Sequence, residues 1–182
     1  MLLPLMITVL LISMSLLLTY FAGAIWSPTP IKIVKRMLKL ADLKPGEKLY
    51  DLGCGDGRIA IMAAKLGAKA VGIEINPLLY LLAKLASIRV PNLELRWGNL
   101  YNVDLSDADV VALYLSPSGN LKLMKNLKKL KPGARIVSYR WPLPLRPAKQ
   151  EEGVYLYVVE ANRETAEGTS ASEPTTKSAS ES

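Results

Sequence analysis

The stretch Lys48-Leu-Tyr-Asp-Leu-Gly-Cys-Gly-Asp-Gly-Arg58 decides the fold of this 182-residue chain. It begins like a β-strand, and Gly53, Gly55 and Gly57 then follow at every second position, a pattern that predicts a loop between a strand and a helix. Glycine has no Cβ, so the backbone can turn sharply and come close to a ligand. Asp51 adds a carboxylate at the end of the strand. The stretch therefore predicts a nucleoside-binding loop.

A second acidic residue indicates which nucleoside cofactor the loop binds. Ala70-Val-Gly-Ile-Glu74 is a short apolar strand that ends in a carboxylate able to accept hydrogen bonds from both ribose hydroxyls. Dinucleotide sites usually have a third loop glycine that lets the helix and the strand pack closely, with the helix N-terminus facing the pyrophosphate, and this chain has Arg58 there. S-adenosylmethionine (SAM) carries an α-amino group and a sulfonium instead of a phosphate, so Asp51 suits it better. We predict that the loop glycines, Asp51 and Glu74 bind SAM.

The rest of the chain alternates between strand-like and helix-like segments, which predicts an α/β fold with a mostly parallel sheet. Strands are expected near residues 48–52, 69–74, 93–97, 108–115, 134–140 and 153–159, and helices near 31–41, 57–66, 77–89 and 119–130. The sheet is therefore expected to have six strands.

With these motifs the chain resembles the class I SAM-dependent methyltransferases. More narrowly, it resembles the archaeal protein-lysine methyltransferases and the related enzymes that methylate the ATP synthase c-subunit. The resemblance runs from about residue 26 to residue 160, and its narrower motifs are Pro28-Thr29-Pro30, Gly98-Asn99, Ala108-Asp-Val-Val111 and Ser138-Tyr-Arg-Trp-Pro142. It implies a Rossmann-like three-layer sandwich. Six strands would make the sheet a reduced form of the seven-stranded arrangement common in that superfamily.

Strand ends provide the other candidate site residues, because ligands of open α/β sheets lie beyond the carboxyl ends of the strands. The amide oxygen of Asn99 is expected to accept a hydrogen bond from the adenine amine. The predicted acceptor side comprises Tyr114 and Ser116 at the end of the fourth strand and Tyr139 and Trp141 at the end of the fifth.

Trp26 precedes the Pro28-Thr29-Pro30 motif, and two roles are open for it. It folds over the cofactor, or it anchors a membrane span at the lipid interface.

The resemblance implies that the acceptor is a protein lysine. A lysine must be neutral to attack SAM, and at pH 7 neutralisation costs about 4.6 kcal/mol from a pKa of about 10.4. A dry pocket with aromatic walls lowers that cost. The residues alone leave open a small amine, a lipid or RNA as acceptor, and also a non-catalytic SAM-binding membrane protein. Nucleic acid is disfavoured as a partner, because Leu115-Ser116-Pro117-Ser118 replaces the N/D-P-P-Y/F motif of enzymes that methylate base amino groups.

Residues 1–25 contain no charged side chain and predict one transmembrane helix. Roughly 23 helical residues extend about 35 Å, enough for a hydrocarbon core of about 30 Å. A cleaved signal peptide is the alternative, with Ala22-Gly23-Ala24 as the cleavage site. Basic residues follow the segment at Lys32, Lys35, Arg36 and Lys39. This bias predicts a single-pass protein of the cell membrane whose catalytic domain faces the cytoplasm, and the expected substrates include membrane complexes.

Composition completes the expected domain plan: an anchor over 1–25, a basic helix and linker over 26–45, a SAM-binding domain over 46–160 and a disordered polar tail over 161–182. The chain has no histidine and one cysteine, so no metal site is predicted. The net charge of +7 is concentrated in the basic helix and in a second cluster near residues 122–131. Both clusters suit anionic lipid headgroups, and the second also suits an ordinary solvated helix surface.

Overall fold

A computed structural model describes residues 2–21 and 27–160 of the protein. The helices are α1 (Leu2–Phe21), α2 (Ile31–Leu40), α3 (Arg58–Lys65), α4 (Pro77–Ala86) and α5 (Pro117–Leu127), with a 3₁₀ turn at Leu100–Asn102. The strands are β1 (Lys48–Leu52), β2 (Lys69–Glu74), β3 (Leu93–Trp97), β4 (Val110–Leu113), β5 (Arg135–Tyr139), β6 (Lys149–Glu151) and β7 (Val154–Val158). The predicted tail over 161–182 and Trp26 lie outside the described residues.

The strands form one sheet in the order β3-β2-β1-β4-β5-β7-β6. Strands β1 to β5 are parallel, whereas β7 runs antiparallel to β5 and to β6. The strand order reverses between β1 and β4, and a ligand crevice forms at such a point in doubly wound sheets. The predicted Rossmann-like α/β fold is confirmed.

The prediction of a reduced, six-stranded sheet was wrong, because β6 adds a seventh strand. β6 has the sequence Lys-Gln-Glu, and all three of its residues are exposed; it lies at the sheet edge and pairs with β7 in a hairpin. A strand with no apolar side chain gives no hydrophobic alternation, so the sequence pattern did not reveal it.

Two hydrophobic cores lie on opposite faces of the sheet and make the three layers. Side chains alternate along β1, so Leu49 packs on one face with α2 and α3 while Tyr50 packs on the other. The second face is covered by Leu123 and Leu127 of α5. The two helical layers hold the carboxyl ends of the central strands in fixed positions.

Helix α1 comprises 20 residues, fewer than the 25-residue segment from which a transmembrane span was predicted. Within residues 2–21 and 27–160, no helix is both long enough and apolar enough to cross a membrane. The predicted transmembrane helix is therefore not found.

Replacing Gly72 in β2 by alanine should destabilise the fold through overpacking alone. An added Cβ would lie 2.7 Å from Leu95 Cδ2 and 3.0 Å from Cys54 Sγ. We expect Gly72→Ala to lower the free energy of unfolding by about 1–3 kcal/mol in urea denaturation. Gly98→Ala is the matched control, since its Cβ would meet nothing within 4 Å, and it should change stability by less than about 0.5 kcal/mol. Equal stability of the Gly72→Ala and Gly98→Ala variants would contradict the close packing of Gly72 against Leu95 and Cys54.

Candidate active site

A cavity of about 520 Å³ lies at the carboxyl ends of the parallel strands. The predicted site residues that line it are Asp51, Gly53, Gly55, Glu74, Asn99, Tyr114, Ser116 and Trp141. The other lining residues are Ser27, Pro28, Thr29, Cys54, Asp56, Arg58, Ile59, Ile73, Ile75, Leu79, Gly98, Leu100, Tyr101, Leu115, Gly119 and Arg140. Most of the predicted residues are thus brought together, whereas Gly57 and Tyr139 do not line the cavity.

Gly57 has a packing role in the glycine loop. It precedes α3 in the left-handed conformation, with φ of +81°, where glycine is favoured. A Cβ at this position would lie 3.2 Å from the Cβ of Ala83 in α4. Gly57 therefore lets α3 begin close to α4. This packing role does not require Gly57 to line the cavity.

Glu74 holds the glycine loop against the end of β2. Its carboxylate is buried; Oε2 accepts a 2.8 Å hydrogen bond from the Gly55 amide, and Oε1 accepts another of 2.8 Å from the Asn76 amide. Because each carboxylate oxygen has two lone pairs, both can still accept from a ligand. The two backbone hydrogen bonds fix the position of this carboxylate before any ligand binds.

Asp51 is buried at the end of β1, with 3% of its surface exposed. Its Oδ2 accepts a 3.2 Å hydrogen bond from the Ala60 amide. Loss of hydration raises the pKa of Asp51 to about 7, and the nearby charges of Glu74 and Asp56 add to this effect against the Ala60 hydrogen bond. Across the described part of the chain, no ion pair links Asp51 or Glu74 to a lysine or arginine.

Arg58 connects the glycine loop to the segment that precedes α2. Its Nε donates to Asp56 Oδ1 at 2.9 Å, and its Nη1 donates to the Thr29 carbonyl at 2.8 Å. The hydrogen bond from Arg58 holds the pKa of Asp56 below its usual range, despite partial burial. The hydrogen bond from Arg58 to Thr29 holds residues 27–29 at the cavity wall. The Pro28-Thr29-Pro30 motif alone did not predict this position.

Tyr114 forms part of the aromatic wall, and Tyr139 supports it from behind. Their ring centroids lie 4.8 Å apart with the planes tilted by 56°, a favourable aromatic arrangement. The Tyr114 hydroxyl lies 3.3 Å from Ser27 Oγ. Burial raises the pKa of Tyr114, but hydrogen bonds with Ser27 and Arg140 outweigh that effect and leave the pKa lowered.

Trp141 is fixed by hydrogen bonds to its carbonyl. Ser138 Oγ donates to that carbonyl at 2.6 Å, and Asn120 Nδ2 donates to it at 3.1 Å. Arg140 takes a positive φ of +66°, and its guanidinium carbon lies 5.5 Å from the Trp141 ring centroid. The turn therefore brings both an indole and a cation to the cavity.

Asn99 and Ser116 both cap helical turns. Asn99 Oδ1 accepts from the Tyr101 amide at 3.0 Å, and Ser116 Oγ accepts from the Gly119 amide at 3.2 Å. Capping of this kind satisfies free amides at the start of a helix. The Asn99 oxygen expected to meet adenine thus already has one backbone donor.

Apolar lining residues were not predicted from the sequence. Ile75, Leu79, Leu100 and Leu115 line the cavity beside the polar strand ends. Their position in the sequence could have identified them, since each follows the end of a strand by a few residues. Apolar walls of this kind suit the flat faces of a nucleobase.

Comparison with known proteins identifies the family. Residues 51–150 match the ANTKMT methyltransferase domain. The chain belongs to this family. It is 40% identical to a protein-lysine N-methyltransferase of Saccharolobus islandicus (strain REY15A), over 78% of this chain and 98% of that protein.

Two further relatives extend the comparison. The human lysine N-methyltransferase of the ATP synthase c-subunit is 33% identical over 64% of this chain, which spans about half of the human protein's length, 52%. A solved structure described as an RNA methyltransferase from Salinibacter ruber in complex with S-adenosyl-L-homocysteine is 42% identical, with a TM-score of 0.69, over 74% of this chain and 94% of that one.

The predicted SAM-dependent methyltransferase family is confirmed, and SAM is its cofactor. The cavity fits this cofactor, because the buried carboxylates of Asp51 and Glu74 face it without a cationic partner among the described residues. Burying anionic groups is costly unless a positive charge compensates them. SAM, which carries a positively charged amino group and a sulfonium, would provide that compensation.

The pKa of Asp51 predicts that SAM binds more tightly as the pH rises. A folded-state pKa of about 7, above the ordinary 3.8, means that the free enzyme keeps a proton on Asp51 at pH 6. The ionised form, which attracts the cationic cofactor, increases roughly tenfold between pH 6 and pH 8. Titration calorimetry should therefore show SAM affinity rising about tenfold over that range.

The same linkage makes the ligand-free protein less stable as the pH rises from about 4 to 7, because the folded state favours the protonated carboxyl. Asp51→Asn should remove the pH dependence of SAM binding. Asp107→Asn, whose side chain pairs with Lys48 outside this cavity, should keep it. A wild-type affinity for SAM that does not change with pH would contradict the role of Asp51 in attracting the cationic cofactor.

Proposed function

We propose that this protein transfers a methyl group from SAM to the side-chain amine of lysine residues in a protein substrate. The observation that carries the proposal is the division of one cavity into an acidic part, with Asp51 and Glu74, and an aromatic part, with Tyr114 and Trp141. The relatives named as protein-lysine N-methyltransferases support lysine as the acceptor.

The acidic part is assigned to the cofactor. In this proposal Glu74 accepts from the ribose hydroxyls, Asp51 faces the positive charge, and Gly53 and Gly55 allow the close approach of the loop. Asn99 contributes from the end of β3. Trp26 stays a prediction, because it lies outside the described residues.

SAM would supply an electrophilic methyl group, which a neutral amine can take in one displacement: the nitrogen–carbon bond forms as the carbon–sulfur bond breaks, and S-adenosylhomocysteine leaves. The ring of Tyr114 attracts the incoming ammonium through cation–π contact, and the wall of Tyr114 and Trp141 then excludes water from it. The guanidinium of Arg140, at the same end of the cavity, disfavours a second positive charge and so lowers the pKa of the lysine. The ammonium gives its proton to bulk water at the cavity mouth, so no protein base is required. Alignment of the neutral amine with the methyl group then provides much of the rate.

A membrane location is part of the proposal, with α1 as the attachment and the catalytic domain on the cytoplasmic side. Large apolar side chains of α1 are exposed, including Leu2 at 76% and Leu3 at 70%. Burial of this apolar surface in lipid would stabilise the attached state by about 25 cal/mol for each Å² removed from water. The lysines of α2 follow α1 in the chain, where they would meet anionic lipid headgroups. A substrate in a membrane complex fits this location.

Full-length protein should therefore float with lipid vesicles in a density gradient, and a variant with Leu2, Leu3 and Met6 changed to serine should float less. A triple variant in the SAM-binding domain, with Lys122, Lys125 and Lys129 changed to serine, tests whether charge alone causes flotation. If the apolar variant floats like the wild type while the lysine variant does not, attachment through α1 is wrong.

Incubation of the full chain with methyl-labelled SAM and native membranes should label specific lysines, as identified by mass spectrometry. Tyr114→Ala should lose roughly tenfold to a hundredfold in methyl transfer, because the acceptor is then poorly aligned, while SAM affinity is nearly kept. Tyr155→Phe is the control, since Tyr155 does not line the cavity. Label on lipid alone, with every protein unlabelled, would contradict the lysine proposal.

RNA is the second candidate acceptor, because the Salinibacter ruber relative is described as an RNA methyltransferase. The same incubation decides between the two, with RNA extracted and digested to nucleosides. Label that appears in RNA and is lost on ribonuclease treatment, with none on protein, would favour RNA.

A further inference from the structure

Helix α4 presents a row of large apolar side chains to the outside of the protein. Leu79 and Ala83 pack inward, and the outward row consists of Leu78, Leu81, Leu82, Leu85 and, just past the helix, Ile88. Leu85 is 57% exposed and Ile88 73%. Single exposed leucines are ordinary, but a continuous row at helical spacing is typical of an interaction surface. We call this row the α4 apolar face.

The face reaches the mouth of the active site. Ile75, two residues before α4, is exposed and also lines the cavity. The indole of Trp97, 66% exposed, donates from Nε1 to the Ile75 carbonyl at 2.9 Å and so lies beside the start of α4. Tryptophan suits a membrane interface, because its apolar ring can contact the acyl chains while its N–H stays in the polar headgroup region.

The surrounding surface is positively charged. Helices α2, α3 and α4 pack on the same face of the sheet, where Leu93 contacts both the α2–α3 core and the cluster around Ala83. These three helices contain no aspartate or glutamate, and their basic residues are Lys32, Lys35, Arg36, Lys39, Arg58, Lys65 and Lys84. Lys32 and Arg36 are paired with Glu152, and Arg58 is paired with Asp56, which leaves Lys35, Lys39, Lys65 and Lys84 without an ion pair among the described residues. Arg89 adds another cation one residue after Ile88.

We infer that the α4 apolar face lies on the surface of an anionic lipid bilayer. Its leucines enter the boundary between headgroups and acyl chains, and the lysines of the same helical layer meet lipid phosphates. A second copy of the chain suits the face less well, because two such layers would bring like charges together. The choice of lipid rests on the membrane location in the proposed function.

This orientation deepens the proposed function by restricting the substrate. The cavity mouth beside Ile75 would lie close to the headgroups. The substrate class is then lysines at the membrane surface, on membrane proteins or on their juxtamembrane segments.

A nitroxide spin label tests the inference in the full chain. Leu85→Cys carries the label on the α4 apolar face, and Leu121→Cys is the matched control on α5, since Leu121 is 60% exposed on the other side of the sheet. The native Cys54 is buried and stays unlabelled. The probe is a vesicle of phosphatidylcholine and phosphatidylglycerol. On these vesicles the label at position 85 should lose collisions with a water-soluble nickel complex and gain collisions with oxygen, whereas the label at 121 should not change.

Other results overturn the inference. If the protein floats with vesicles but position 85 stays as open to nickel as position 121, α1 attaches the chain and the α4 face does not dock. Loss of nickel access without vesicles, with dipolar broadening, would mean a second copy, and loss only after a substrate protein is added would mean a protein partner. No flotation at all overturns docking and α1 attachment together. Lysine labelling in detergent tests the methyltransferase proposal separately.

Discussion

The site depends on two carboxylates that adjacent parallel strands hold out of water. Asp51 lies opposite Gly72 in the pairing of β1 with β2, and Glu74 ends β2 two residues later. Glu74 is satisfied by two backbone amides, while Asp51 has one amide and a raised pKa. The sheet therefore keeps a negative charge where it is costly unless a cation binds. The glycine loop, the start of α3 and the Gly72 contact all serve to place these two groups.

The charges of the cavity change from one part to the other. Asp51 and Glu74 lie at the ends of β1 and β2, whereas Arg140 and Trp141 lie after β5; Arg58, the other cationic lining residue, is paired with Asp56. A sulfonium is favoured in the acidic part, and an ammonium is disfavoured near Arg140. This arrangement suits a reaction in which a cationic donor passes its methyl group to a neutral amine. The aromatic contact of Tyr114 with Tyr139 keeps the acceptor wall in place.

Features coded by neighbouring residues could be predicted from the sequence, and features made by distant contacts could not. The glycine loop and Glu74 follow from local patterns, and β1, β2 and β3 have the expected bounds. β6 has no apolar side chain to reveal it, and Arg58 reaches Thr29 only in the folded chain. Tyr139 was expected in the cavity because it ends a strand, but side chains alternate along β5, and its ring packs behind Tyr114.

The role of the buried carboxylates is tested most directly by the affinity for SAM of Glu74→Gln, measured by titration calorimetry beside Glu94→Gln. Glu94 is exposed on β3 and pairs with Arg96, so its replacement leaves the cavity unchanged. We expect Glu74→Gln to weaken SAM binding by roughly tenfold to a hundredfold, the worth of hydrogen bonds to a charged acceptor, while Glu94→Gln binds like the wild type. Wild-type affinity in a folded Glu74→Gln protein would contradict the central role of the buried carboxylates.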